Sequence, residues 1–222
     1  MPMVTRVSGI ELACVRAGRL VFKDLHFSVG NGEILAVRGP NGAGKSSLLR
    51  LIAGFLQPSA GRLMIEGGDK ELSLGEQLHY LGHQDPLKPS LTVAENLAFW
   101  HRLLSGSGTV ANALQAVGLG SLTDVPALYL SAGQRRRLSL ARLVAVPRPV
   151  WLLDEPNSAL DDSGQLALTG IMAEHVERDG IIITATHGAL QLDGTKELIL
   201  QPARPSNGKN ALREARTSEI PV

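Results

Sequence analysis

The chain has 222 residues, 44% of them hydrophobic, and its 22 basic and 21 acidic side chains leave a net charge of +1. That is apolar material for one sizeable core with an appended lobe, and a charge balance with no global pull towards nucleic acid or an anionic surface. A lone cysteine, Cys14, excludes a disulfide within one chain. No apolar run approaches the ~18 residues a membrane span requires, and the N-terminus lacks the basic-then-apolar pattern of a secretory signal.

In chain order, residues 4–30 hold two alternating stretches broken near Ala17-Gly18, the pattern of an antiparallel hairpin. Cys14 lies in the first, apolar stretch and reads as core packing. Glu33–Arg38 reads as a strand, and Leu48, Leu49, Ile52 and Ala53 share one face of a helix that Gly54 terminates. Strands follow at Leu63–Glu66 and Leu78–Leu81, and Pro86–Pro89 forms a hinge. From about residue 88 to 137 the pattern turns helical, with Gly and Ser breaks at 105–108. Thr92 and Glu95 have capping-box spacing ahead of a helix over Asn96–Leu104. Phe99 and Trp100 on that helix either pack the lobe or face a partner's helix. Ser131 and Gln134 repeat the capping spacing before a helix over Arg135–Ala145. Its three adjacent arginines, 135–137, read as a wetted face; a nucleic-acid patch has no second basic cluster to support it. Strands at Val150–Leu153, Ile181–Ala185 and Glu197–Leu200 complete the sheet together with the earlier ones. From Gln201 onward Pro, Arg, Asn and Ser dominate, the composition of a loosely held tail over 201–222. No internal repeat is visible.

Chemistry concentrates at strand ends. Gly39-Pro40-Asn41-Gly42-Ala43-Gly44-Lys45-Ser46 satisfies G-x-x-x-x-G-K-[ST] between a strand and a helix, the setting that motif requires. Its glycines let backbone N–H groups turn inward around a phosphate, and the helix N-terminus adds partial positive charge. Lys45 then reaches the β- and γ-phosphates of a nucleotide and the Ser46 hydroxyl reaches Mg²⁺, with Ser47 the next expected contact. Pro149–Leu153 is an apolar run that ends in Asp154 and Glu155. Such a run suits a strand buried on both faces, with its acids at the edge where ligands bind. Asp154 is the expected support of the Mg²⁺ shell and Glu155 the expected base towards water. Gly180–Thr186 is a further buried strand, and His187 at its end is placed to meet a γ-phosphate. Gln84, after the strand at 78–81, offers an amide oxygen to the metal or to the attacking water.

These residues together resemble the ATP-binding cassette ATPases over almost everything from about Ile10 to Leu200. Gly39–Ser46 is similar to that family's Walker A loop and Gln84 to its Q-loop. Leu130-Ser131-Ala132-Gly133-Gln134 resembles the signature, Val150–Glu155 the Walker B strand, Ser158–Asp161 the D-loop and His187 the switch histidine. The resemblance implies an α/β fold: a RecA-like P-loop NTPase core with a parallel sheet, an N-terminal antiparallel β subdomain and an inserted helical subdomain at about 88–137, all within residues 1–200. It also implies ATP and Mg²⁺ as ligands and a head-to-tail dimer with a second copy of the chain. In that dimer Ser131, Gly133 and Gln134 of one copy face the nucleotide held by Lys45 of the other. An aromatic side chain stacks on adenine in many members; here Arg16 and Ala17 stand at that place. Either the Arg16 guanidinium covers the base or adenine is held loosely.

The stretches Tyr80–Asp85 and Leu91–Trp100, with Ala132 in the signature, resemble more narrowly the bacterial haem-exporter ATPases of cytochrome c biogenesis. This implies integral-membrane partner subunits, no transmembrane segment of its own and a peripheral place on the cytoplasmic face of the inner membrane. Two alternatives stay open: an ATPase subunit for another small-substrate transporter, and a soluble cassette ATPase of DNA repair or translation. The second fits poorly, because only one cassette is present and no sustained heptads separate Lys45 from Ser131.

Overall fold

A computed structural model describes residues 4–186 and 192–202. Strand β1 (Val4–Arg16) folds back on β2 (Arg19–Gly30) through Ala17 and Gly18, with φ of 48° and 75°. Two positive φ values in a two-residue turn are the primed geometry that matches strand twist. The buried side of β1, including Val7, Leu12 and Cys14, faces the core, and burial raises the Cys14 thiol pKa.

β3 (Ile34–Arg38) begins the second sheet, and helix α1 (Lys45–Ile52) follows it. The next strand, β4 (Ala60–Gly67), corrects the sequence reading. Leu63–Glu66 does not join the central sheet; it pairs antiparallel with β1, in the order β2-β1-β4. Only Leu63 and Ile65 of this strand are half-buried and the rest are exposed, whereas a central parallel strand is buried on both faces.

The five-stranded parallel sheet has the order β5-β6-β7-β3-β8, from β5 (Leu78–Leu81), β6 (Val150–Asp154), β7 (Ile181–Ala185), β3 and β8 (Lys196–Ile199). Side chains alternate between its faces with period two. Ile34, Trp151, Leu153 and Ile182 enter one core with the helical lobe. Leu35, Val37, Val150, Leu152, Ile181 and Ile183 enter the other, with α1 and the antiparallel sheet. The unbroken apolar runs therefore serve two cores at once.

The lobe consists of α3 (Val93–Leu103), α4 (Val110–Ala116), two short 3₁₀ turns and α5 (Ala132–Ala145), preceded by the single turn α2 (Leu74–Gln77). Leu97, Ala113, Leu114 and Leu138 pack together in the core beneath it. Phe99 and Trp100 are half-buried: Lys88 lies 4.1 Å from the Phe99 ring centre, and Trp100 Nε1 donates to the Pro86 carbonyl at 3.2 Å. These contacts belong to packing of the lobe. A sixth helix, α6 (Asp162–Glu177), had no counterpart in the sequence reading. Parallel β6 and β7 need such a crossover, yet Leu166 on α6 is 75% exposed and its apolar pattern is blurred. The expected tail, beyond Gln201 and Pro202, lies outside the described residues.

Candidate active site

β3 delivers the chain to loop 39–44 at the C-terminal edge of the sheet. Gly44 has φ 102°, and a Cβ there would stand 2.4 Å from Val21 Cγ1, so only glycine lets α1 start this close to β2. No side chain caps α1, and its first turn carries no acid. The first N–H groups and the positive end of the helix dipole are thereby left to an anion. Lys45, only 7% exposed, donates from Nζ to the carbonyls of Gly39 (2.8 Å) and Pro40 (3.3 Å), which holds the ammonium across its own loop.

Ser46 and Asp154 meet although 108 residues separate them: the hydroxyl donates to Oδ1 at 3.0 Å. Asp154 is 1% exposed at the end of β6. Tyr80, from the neighbouring β5, donates to its Oδ2 at 3.4 Å and accepts from Arg50 Nε at 3.3 Å. Burial first, then the nearby Asp154 charge, raises the Tyr80 pKa, so the phenol keeps the proton it donates. His83 Nε2 lies 3.7 Å from Asp154 Oδ1. A hydroxyl and a buried carboxylate beside an anion cradle form a hard oxygen donor set that fits Mg²⁺, which binds through few protein groups plus substrate phosphates.

Glu155 follows with φ 49°, a left-handed backbone that costs of order ~1–3 kcal/mol in a non-glycine residue. Its N–H donates to the Ala185 carbonyl at 2.9 Å and its own carbonyl accepts from Ser158 N–H at 3.1 Å. The strain is thus held by β7 and by the turn that follows.

The cleft these groups border has a volume of about 610 Å³, within the range of small-molecule sites. Its walls include Asn41, Gly42, Gly44, Lys45, Ser46, Ser47, Asp154 and Glu155 of the expected set. Arg16 also lines it, from the exposed tip of the first hairpin beside Val21. Gly39, Pro40 and Ala43 shape the loop without lining the cleft; Ala43 is buried, and its N–H donates to the Pro40 carbonyl at 3.1 Å. Gln84 is exposed and stands outside the lining, where its neighbour His83 is found instead. Ser131, Gly133 and Gln134 are not brought to this loop at all. They form the start of α5, where Ser131 Oγ accepts from Gln134 N–H at 3.1 Å and Gln134 Oε1 accepts from Ser131 N–H at 2.9 Å. His187 lies outside the described residues.

Sequence reasoning missed Arg50, Tyr80 and His83. No linear signal marked them: Tyr80 and His83 neighbour Asp154 because β5 pairs with β6, and Arg50 reaches Tyr80 from α1. The arginine triplet is a correction. Arg136 is buried, 1% exposed, Arg135 donates to the Leu130 carbonyl at 2.6 Å, and Arg137 lies 3.9 Å from Asp161. Arg136 and Arg137 are internal ties rather than a wetted face, and only Arg135 stays exposed.

An anion loop with lysine, a serine–aspartate pair behind it and a glutamate at the cleft define a P-loop nucleotide triphosphatase. The family model "ABC transporter" matches residues 22–158. The chain is 58% identical over 186 residues to the cytochrome c biogenesis ATP-binding export protein CcmA of Nitrobacter winogradskyi, covering 83% of this chain and 93% of that one. It is 44% identical to the protein of the same name from Brucella abortus, over 85% of this chain and 88% of that one. Among solved structures, a putative ABC transporter ATP-binding protein from Pyrococcus furiosus superposes with TM-score 0.76 at 21% identity, covering 88% and 98% of the two chains. A bacterial Atm1-family ABC exporter with ATP bound gives 0.76 at 24%, covering 95% and 40%. The chain belongs to the ABC transporter family as one of its ATP-hydrolysing chains, in the group of cytochrome c biogenesis ATP-binding export proteins.

Proposed function

We propose that this chain is the ATP-hydrolysing subunit of an exporter in cytochrome c biogenesis, the haem exporter, working with integral-membrane subunits at the cytoplasmic face of the inner membrane. The observation that carries the reading is the 58% identity to an export protein of that pathway across 93% of its length. Among the described residues no helix is long and apolar enough to cross a membrane, which suits a division of labour with membrane-spanning partners. Residues 1–200 form the nucleotide-binding domain in this reading, with the helical subdomain at about 88–137.

Loop 39–44 and Lys45 bind the ATP phosphates. Ser46 and Asp154 hold Mg²⁺, which when bound neutralises phosphate charge. Glu155 takes up a proton from water as it attacks the γ-phosphate, with His187 and Gln84 as the further contacts to phosphate and water. Arg16 covers one side of the base. No residue between 84 and 153 lines the cleft, while the capped start of α5 is exposed. That arrangement supports a second copy bringing its Ser131, Gly133 and Gln134 over the nucleotide.

Deleting the protein in its host and measuring covalent haem attachment to c-type cytochromes tests the reading. Loss of attachment, restored by the wild-type chain and not by Glu155→Gln, is expected; retained maturation rejects the role in this pathway.

A further inference from the structure

Arg136 stands in the second turn of α5, five residues after Ser131, and is 1% exposed. All five of its N–H donors are used. Nε donates to the Pro156 carbonyl at 3.3 Å. One terminal nitrogen donates to the Gly82 carbonyl at 2.8 Å and to Asp85 Oδ1 at 3.2 Å. The other donates to the carbonyls of Asp154 and Glu155 at 3.1 and 3.0 Å. The acceptors come from two segments only. Gly82 and Asp85 bracket Gln84, and Asp154 and Pro156 bracket Glu155. The planar fork of a guanidinium reaches both; a lysine ammonium, with three donors on one atom, does not.

Two further contacts tie the same end of α5 to the chain after Glu155. The Gly133 Cα is so close to Ala159 that an added Cβ would stand 2.8 Å from its carbonyl oxygen. Arg137 lies 3.9 Å from Asp161, the residue that caps α6 through Gly164 N–H at 2.9 Å. A helix tied through a buried, fully used guanidinium resists displacement. Displacing its N-terminus drags the 82–85 and 154–156 segments with it or breaks buried hydrogen bonds.

We propose that Arg136 is a positioning residue that couples the two nucleotide sites of the dimer, passing the position of the signature start, Ser131, to the backbone around Gln84 and Glu155 in its own subunit. The proposal rests on the nucleotide-bridged dimer described above. Contact of Ser131 with the partner's ATP sets α5, and Arg136 then sets the angle at which the Glu155 carboxylate enters its own cleft. The sites thereby turn over in concert rather than independently.

Steady-state ATPase measurements on Arg136→Lys, Asp85→Ala and the double variant test it, with melting temperatures and ATP-driven dimerisation in a Glu155→Gln background measured alongside. Arg136→Lys lowers kcat by about tenfold or more, as expected when a reacting group is misplaced by a fraction of an ångström. KM for ATP stays within about threefold, because ground-state binding through Lys45 is untouched. The Hill coefficient for ATP falls to one. Asp85→Ala moves kcat in the same direction by less, and the double variant is no slower than Arg136→Lys, the non-additivity of one shared contact. Folded Asp85→Ala with wild-type kcat and cooperativity overturns the proposal, as do losses that simply multiply in the double variant. Should Arg136→Lys fail to fold, Asp85→Ala decides alone. The underlying dimer is tested separately: Glu155→Gln that stays monomeric with ATP removes the dimer, whereas a trapped dimer with unaltered Asp85→Ala kinetics removes only the coupling.

Discussion

Glu155 combines a strained backbone with a carboxylate at the cleft, 49° in φ and fixed by the Ala185 carbonyl. Glu155→Gln keeps the shape and removes the proposed base, so ATP binding persists while hydrolysis slows by about 10²-fold or more, as read by phosphate release. Lys45→Ala acts differently: it removes the cation that closes loop 39–44, and nucleotide affinity itself falls in a titration with a fluorescent ATP analogue. Arg16 offers a planar cation where a stacking ring is common, and such a contact is worth about 0.5–2 kcal/mol. Arg16→Ala therefore weakens ATP binding by about twofold to thirtyfold in the same titration; unchanged affinity means that adenine is held loosely. His79 reports on acid stability. It is buried on β5 with Nε2 2.6 Å from the Val146 carbonyl, and burial, then the Arg142 charge, pushes its pKa down to about 3. His175, stacked 3.8 Å from Trp151, is pushed down to about 4 by burial. Both are neutral above the ordinary value near 6.5, so stability is full there. As pH falls through that value the unfolded chain binds protons that the folded one refuses, costing about 1.4 kcal/mol per unit for each histidine until its folded pKa is reached. The denaturation midpoint drops between pH 7 and 5, and His79→Gln, which keeps a donor for Val146, shows a shallower slope.

The helix starts of the lobe differ from that of α1. Thr92 and Ser131 close capping boxes, whereas α1 starts on an uncapped glycine and leaves its first N–H groups to phosphate. Ser131→Ala removes one cap, a loss of about 1 kcal/mol in stability. Its melting temperature falls by only a few degrees, while the ATPase rate of the dimer drops far more and nucleotide affinity of the monomer is unchanged. A proportional fall in monomer affinity would place Ser131 on its own nucleotide. Capping boxes and the P-loop were legible in the sequence because their residues are three to seven positions apart. Helix α6 was not, because Leu166 faces solvent and the helix's burial is set by the lobe it packs on. The antiparallel place of β4 was likewise hidden: an apolar stretch names a strand but not its neighbour.

At the scale of the molecule, the cleft has its phosphate loop, Asp154 and Glu155 on one chain and the start of α5 elsewhere on the same chain. The Glu155→Gln chain therefore changes from monomer to dimer when ATP is added and returns when ATP is removed, as light scattering records. A molar mass that stays constant with ATP rules out closure between two copies. The two cores on either side of the parallel sheet hold loop 39–44, Asp154 and β8 in one unit, so the proposed closure moves them together.

Sequence alone pointed to nucleotide chemistry, because Gly39–Ser46 and Val150–Glu155 are local strings whose residues lie close together along the chain. It also pointed to a parallel core, through short β-rich apolar runs at 34–37, 150–153 and 181–185 that suit strands buried on both faces. Only the tertiary structure decided what surrounds Asp154. Tyr80, Arg50 and His83 reach it through strand order and register, and neither can be read from a linear pattern. It also turned Arg136 from an apparent surface charge into a buried tie: a charge run looks solvated until five carbonyl and carboxylate oxygens from distant segments are found around it.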